Sequence, residues 1–135
     1  MFIDSSAFVA ILTREPGHER LALAIEQASA RFTSGLVMLE TIMRVSTILD
    51  AAPETVQAAF DRMIEAADII ILPIDAGISR IAVEAFQRFG KGRGHPARLN
   101  LADCMSYAAA RHLGAPILFA GNDFSRTDIK SAQIL

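Results

Sequence analysis

Met1-Phe2-Ile3-Asp4-Ser5-Ser6-Ala7-Phe8-Val9-Ala10-Ile11-Leu12 opens the chain with a short apolar run, then a carboxylate, then an apolar stretch of helical character. The run reads as a buried strand, and Asp4 stands where strand gives way to helix. In α/β folds that junction lies at the rim of the sheet, where ligand chemistry gathers. Working outward, the alternation persists to the far end. Strand-like runs occupy residues 2–4, 31–33, 69–72 and 117–119, with a further candidate at 132–134. Between them, apolar residues recur at helical spacing: Leu21, Ala24, Ile25 and Ala28 in 19–30, and Leu36, Leu39, Ile42, Met43 and Leu49 in 36–49. Pro53 marks another helix start, followed by the stripe Val56, Phe60, Met63 and Ile64. Residues 75–89 and 101–113 complete the series, the last closed by Gly114-Ala115-Pro116. Strands separated by helices, with no hairpin signal, imply parallel pairing through right-handed crossovers. The continuous run Ile69-Ile70-Ile71-Leu72 suits a strand covered on both faces. The expected architecture is α/β: a three-layer α/β/α sandwich on a mostly parallel sheet, one domain over residues 1–135.

Composition agrees. With 135 residues, 52% of them apolar and 21% charged, the chain is long enough to bury a core and too apolar for disorder. No apolar run approaches the ~18 residues of a membrane span. Asp4 interrupts the first one with no basic segment ahead of it, which argues against a signal peptide and for the cytoplasm. One cysteine, Cys104, excludes an internal disulfide and a multi-cysteine metal site. A net charge of −2 does not mark a protein that holds nucleic acid by bulk electrostatics, although bound cations would reverse the sign of an acidic pocket.

Three further acids recur at junctions like that of Asp4. Glu40 and Asp103 fall in the first turns of their helices, and Asp123 follows the last apolar strand. In a parallel sheet, strand C-termini and the helix starts that follow share one edge, so all four carboxylates can reach one pocket. Oxygen donors of this kind suit Mg²⁺ or Mn²⁺. Two like charges ~5 Å apart at an effective dielectric of ~20 repel by ~3 kcal/mol, so such a cluster takes up protons or cations. Each acid also has a structural reading: Asp4 as a helix cap, Glu40 and Asp103 as first-turn acids favoured by the helix dipole, Asp123 as a turn residue. Their joint placement tips the balance towards function.

These segments resemble the PIN-domain ribonucleases, and more narrowly the VapC-type toxins of bacterial toxin–antitoxin pairs. The matching stretches are Phe2-Ile3-Asp4-Ser5-Ser6-Ala7, the helical Glu40, the run from His95-Pro96-Ala97-Arg98 through Asp103 to Ala108, and Ile117-Leu118-Phe119-Ala120-Gly121-Asn122-Asp123-Phe124-Ser125-Arg126-Thr127-Asp128. The resemblance implies an endoribonuclease dependent on Mg²⁺ or Mn²⁺, with Asp4, Glu40, Asp103 and Asp123 as its acidic quartet. Ser6 matches a hydroxyl beside the first acid, and Asn122 and Thr127 sit where polar support would be. Asp128 competes with Asp123 for the fourth place; Asp123 lies nearer the strand end. The same resemblance implies an RNA substrate, a VapB-type antitoxin and a homodimer, or a higher-order complex of it with the antitoxin.

Other residues carry weaker signals. Lys91 and Arg93 lie in the basic loop Lys91-Gly92-Arg93-Gly94-His95-Pro96-Ala97-Arg98, which is either simply solvated or follows an RNA backbone. Arg44, one turn after Glu40, is expected in an ion pair, and His95 in loop packing. Phe8 and Leu12 are candidate contacts for an antitoxin or a second copy. Haloacid-type phosphatases want Asp-x-Asp where Asp4-Ser5-Ser6 stands, and receiver domains want a lysine that 119–123 lacks. A structure-specific DNA nuclease and a non-catalytic binding module remain as alternatives.

Overall fold

The computed structural model describes residues 1–132. In chain order it runs β1 (Phe2–Ile3), α1 (Ser5–Leu12), α2 (His18–Gln27), β2 (Phe32–Ser34), α3 (Gly35–Leu49), α4 (Pro53–Ala66), β3 (Ile70–Leu72), α5 (Ala76–Phe89), α6 (Leu101–Leu113) and β4 (Ile117–Leu118). The four strands form one sheet in the order β3-β2-β1-β4, with every pair parallel. Helices enclose it, giving the three-layer α/β/α sandwich.

Local chemistry sets the helix bounds. Asp4, Ser34 and Asp75 cap α1, α3 and α5 by accepting from the amides of Ser6, Val37 and Ile78. Pro53 occupies the first turn of α4, where its missing N–H costs nothing. Gly114 ends α6 in the left-handed region at φ 61°, a conformation free of strain only without a Cβ. At Gly90 the demand is steric instead: a Cβ would collide with the ring and carbonyl of Phe86, just where Gly90 bridges Leu99.

The core forms on the central strands. Phe2, Ile3, Ile117 and Leu118 are fully buried with Phe8, Phe60, Tyr107 and Phe124, and the Phe8 and Phe60 rings sit 4.8 Å apart. Met63 and Ile64 complete the α4 stripe as partly buried neighbours. Phe8 is therefore no partner contact. Leu12, half-buried, packs on a second small cluster of Val9, Val45 and Val56. Among the described residues, no helix is long and apolar enough to cross a membrane.

Two strand expectations change. The run 69–72 is not covered on both faces: Ile70 is 56% and Ile71 40% exposed, because β3 is the edge strand of the sheet. Neighbours, not composition, decide which strand is covered. The candidate strand 132–134 lies mostly outside the described residues, although Ser131 makes a parallel bridge to Ile117 just before it.

Candidate active site

The parallel sheet brings the ends of β1 and β4 to one edge, where α1 begins. Asp4, between β1 and α1, is 4% exposed. One of its oxygens accepts from the Ser6 amide (3.0 Å) and hydroxyl (2.6 Å), and the other from the Ser106 hydroxyl (2.7 Å). Ser6 also accepts from the Ala120 amide at 3.1 Å, which ties the segment after β4 to the same spot. Ser5 donates to Glu40, joining α1 to α3.

Asp103 lies on α6, whose N-terminus faces this cluster. Its amide donates to the Asn100 side chain (2.8 Å), and its Oδ2 accepts from the Asn100 amide (3.0 Å), a reciprocal capping box. The capping readings of Asp4 and Asp103 therefore hold, and a capping role leaves each carboxylate beside the cluster. Burial pushes the Asp103 carboxyl up to about 7; the bond from Asn100 opposes this, and the charges of Asp123, Asp4 and Glu40 add to it. The other three acids thus all act on Asp103. The ion pairs of the described residues, His18–Glu19 and Arg88 and Arg111 with Asp128, lie outside the cluster.

Asp123 is exposed on the turn after β4. Asp128, its rival, takes hydrogen bonds from Tyr107 (2.6 Å), Arg88 (3.0 Å) and Arg111 (3.2 Å) and is absent from the charges acting on Asp103. Asp123, and not Asp128, is thus among the acids whose charge reaches Asp103.

The supporting residues divide. Ser6 stands inside the network. Asn122 is exposed beside Asp123, its carbonyl accepting from the Ser125 amide. Thr127 shapes the turn: its hydroxyl donates to the Phe124 carbonyl (2.8 Å) and makes no bond to the acids. Lys91 and Arg93 are exposed and touch none of the four carboxylates. Lys91 lines a cavity of 550 Å³ with Phe86, Leu101 and Met105, and Arg93 lies 5.6 Å over the Phe86 ring. Among the described residues Arg44 makes no ion pair, against expectation. It shares with Glu40 and Asn100 the lining of a 440 Å³ cavity, its guanidinium left to solvent. His95 packs edge-on against Phe89 and accepts from the Ala97 amide, as loop packing requires. Cys104 is buried, its thiol pushed up by that burial and by Asp103.

Sequence reasoning missed Ser106 and Ser5. Ser106 follows Asp103 by three positions, the spacing that puts two side chains on one helix face, and that signal was present. Nothing in the sequence pairs Ser5 with Glu40.

Hard oxygen donors, a protonation-prone buried acid and the absence of a cation among them fit a divalent metal ion in kind. The carboxylates are nevertheless held apart: among the described residues, no three His, Cys, Asp or Glu groups stand close enough to grip an ion as they are.

A sequence profile of the PIN domain matches residues 1–130. Ribonuclease VapC42 of Mycobacterium tuberculosis is 40% identical over 134 residues, covering 98% of each chain. The crystal structure of Mycobacterium tuberculosis VapC20, described as a Sarcin-Ricin loop cleaving toxin, superposes with a TM-score of 0.75 at 18% identity over 98% of each chain. A toxin–antitoxin complex from Klebsiella pneumoniae gives a TM-score of 0.66 at 16% identity, covering 94% of this chain and 92% of that one.

Proposed function

We propose, from the premise that this chain belongs to the PIN domain family, that it is an endoribonuclease and the toxin of a toxin–antitoxin pair. The observation that carries the reading is the convergence of the Asp4, Glu40 and Asp123 charges on buried Asp103, with no ion pair, among the described residues, to any of the four. The relatives named as VapC ribonucleases support the activity.

Asp4, Asp103, Glu40 and Asp123 would hold Mg²⁺ or Mn²⁺, which when bound supplies an acidified water and neutralises charge on the phosphate. The chain's own residues prepare that site. Ser6 and Ser106 occupy both oxygens of Asp4 and fix its orientation. The capping box does the same for one oxygen of Asp103, leaving the other, among the described residues, without a donor. Glu40, held by Ser5, and Asp123, exposed to solvent, would orient a water or take its proton. Lys91 and Arg93, exposed in the loop before α6, would supply flexible cations for an RNA backbone.

The partner is a small VapB-type antitoxin that blocks the pocket, and the working unit is a homodimer in the cytoplasm. The exposed apolar side chains Leu39, Met43, Ile70, Ile71, Val83 and Phe86 are available for such contacts.

Sequencing RNA ends after expression of wild-type and Asp103→Asn proteins tests the function. New ends should appear only with wild type and vanish when the antitoxin is co-expressed. Equal cleavage by Asp103→Asn would remove the quartet from the mechanism, and cleavage of DNA but not RNA by purified protein would return the DNA-nuclease alternative.

A further inference from the structure

We propose that Asp128 is a positioning residue: its clasp to Arg88, Tyr107 and Arg111 holds the turn of residues 121–127 against α6, so that Asp123 stays beside Asp103 before any cation arrives. The inference rests on Asp123 being the fourth acid of the pocket. It adds a device for assembling that pocket against its own charge.

The turn has three attachments. At its start the Ala120 amide donates to Ser6. In its middle Phe124 is 2% exposed, packed against Phe119 with ring centroids 5.2 Å apart. Beyond its end Asp128 accepts from the Tyr107 hydroxyl with one oxygen and from Arg88 and Arg111 with the other. Arg111 also donates to the Tyr107 hydroxyl at 3.3 Å.

The helix that receives this clasp is the one that repels Asp123. Asp103, Tyr107 and Arg111 follow one another at four-residue spacing, so they form a single stripe along α6. At the N-terminal end of the stripe, Asp103 meets Asp123 with like charge. One and two turns on, Tyr107 and Arg111 meet Asp128 with attraction. The same stripe thus pushes one end of the turn away and draws the other in. Arg88 brings α5 into the grip, its guanidinium also lying 4.5 Å over the Phe89 ring. An isolated exposed ion pair contributes little to stability, but a three-donor network seated on a buried tyrosine hydroxyl is a different case.

A double-mutant cycle in metal-free protein at pH 8 separates positioning from ordinary stapling, read by amide hydrogen exchange in 121–127 relative to α1 and α3. Asp128→Ala should speed exchange in the turn at least about ten-fold, because like charges now part. In Asp103→Asn/Asp128→Ala, where the repulsion is gone, exchange should fall to within about three-fold of Asp103→Asn alone. Arg111→Gln, which spares the Tyr107 and Arg88 bonds, should give the same pattern at smaller amplitude and keeps the test open if Asp128→Ala fails to fold. In cleavage assays Asp128→Ala should lower kcat while KM for RNA changes little. Equal acceleration with and without Asp103→Asn, or none at all, overturns the clasp. Undiminished cleavage by Asp123→Asn would instead overturn the site reading and leave the exchange result standing.

Discussion

Asp103 and Asp128 meet the same helix about two turns apart and are driven in opposite directions. Asp103 sits on α6 among acids, and burial with the charges of Asp123, Asp4 and Glu40 pushes it up to about 7. Burial also pushes Asp128 up, but hydrogen bonds from Tyr107 and Arg88 and the charges of Arg88 and Arg111 more than reverse it, so its carboxyl lies below the ordinary 3.8. One region has acids without cations; the other has an acid saturated by them. The first is frustrated unless something binds, whereas the second is complete. That contrast separates a site from a brace better than acidity does.

The largest expected effect breaks the contrast from the acidic side. Asp103→Asn keeps the shape and the capping bonds but removes a ligand charge. Several kcal/mol of transition-state stabilisation correspond to roughly a thousand-fold loss of RNA cleavage. Asp128→Asn loosens the clasp but removes no ligand, so it should still bind the cation, at a higher concentration than wild type needs. Added Mg²⁺ or Mn²⁺ at about 100 times its dissociation constant should stabilise wild type by about 2.7 kcal/mol, roughly 10 °C in Tm. The shift should be saturable, persist in Asp128→Asn and vanish in Asp103→Asn. A thermal-shift titration of the three proteins decides it, and a flat response in wild type would favour a non-catalytic module.

Acidity sharpens the comparison next, with opposite signs. Asp103 has a folded-state value above its unfolded one, so its contribution is stabilising below about pH 4 and is lost as pH rises to about 7. Metal-free protein should therefore weaken over that interval, by at most about 4 kcal/mol from this group. The stability gap between Asp103→Asn and wild type should widen with pH and level off above 7. Asp128 has a lowered value, so its contribution is present above 3.8 and disappears as pH falls through the folded value. Urea unfolding in chelator from pH 4.5 to 8 reads the first trend, and a gap that shrinks with rising pH would contradict it.

How far each region was legible in the sequence follows the same division. The four acids were readable because strand ends and helix starts are local signals, and parallel topology then places them on one edge. The bounds of α6 were readable because Asn100, Asp103 and Gly114 write its caps into the chain. The Asp128 clasp was not. Arg88 and Asp128 are 40 positions apart, and no local pattern says which cations a loop acid will meet. The exposure of Ile70 and Ile71 was hidden for a related reason, since being last in a sheet belongs to the neighbours. Arg44 misled because helical spacing to Glu40 predicts a pair, yet Ser5 already engages Glu40.

The smallest effect concerns cations that have no acid at all. Lys91 and Arg93 are exposed in the glycine-containing loop before α6 and, among the described residues, make no ion pair. Arg88 and Arg111 are spent on Asp128, so charge reversal there would disturb the fold before it disturbed binding. Lys91→Glu with Arg93→Glu removes no ion pair, only the contact of Arg93 with the Phe86 ring, and should change melting and cation uptake little. RNA binding should weaken by roughly ten-fold at low salt, and the difference should fade as salt rises, because free surface charges act on phosphate through a screened field. Fluorescence anisotropy with a labelled RNA and catalytically silent Asp103→Asn background measures it. Unchanged affinity at low salt would assign the loop to solvent and turn the search for phosphate contacts to Arg44, which lines a cavity with Glu40.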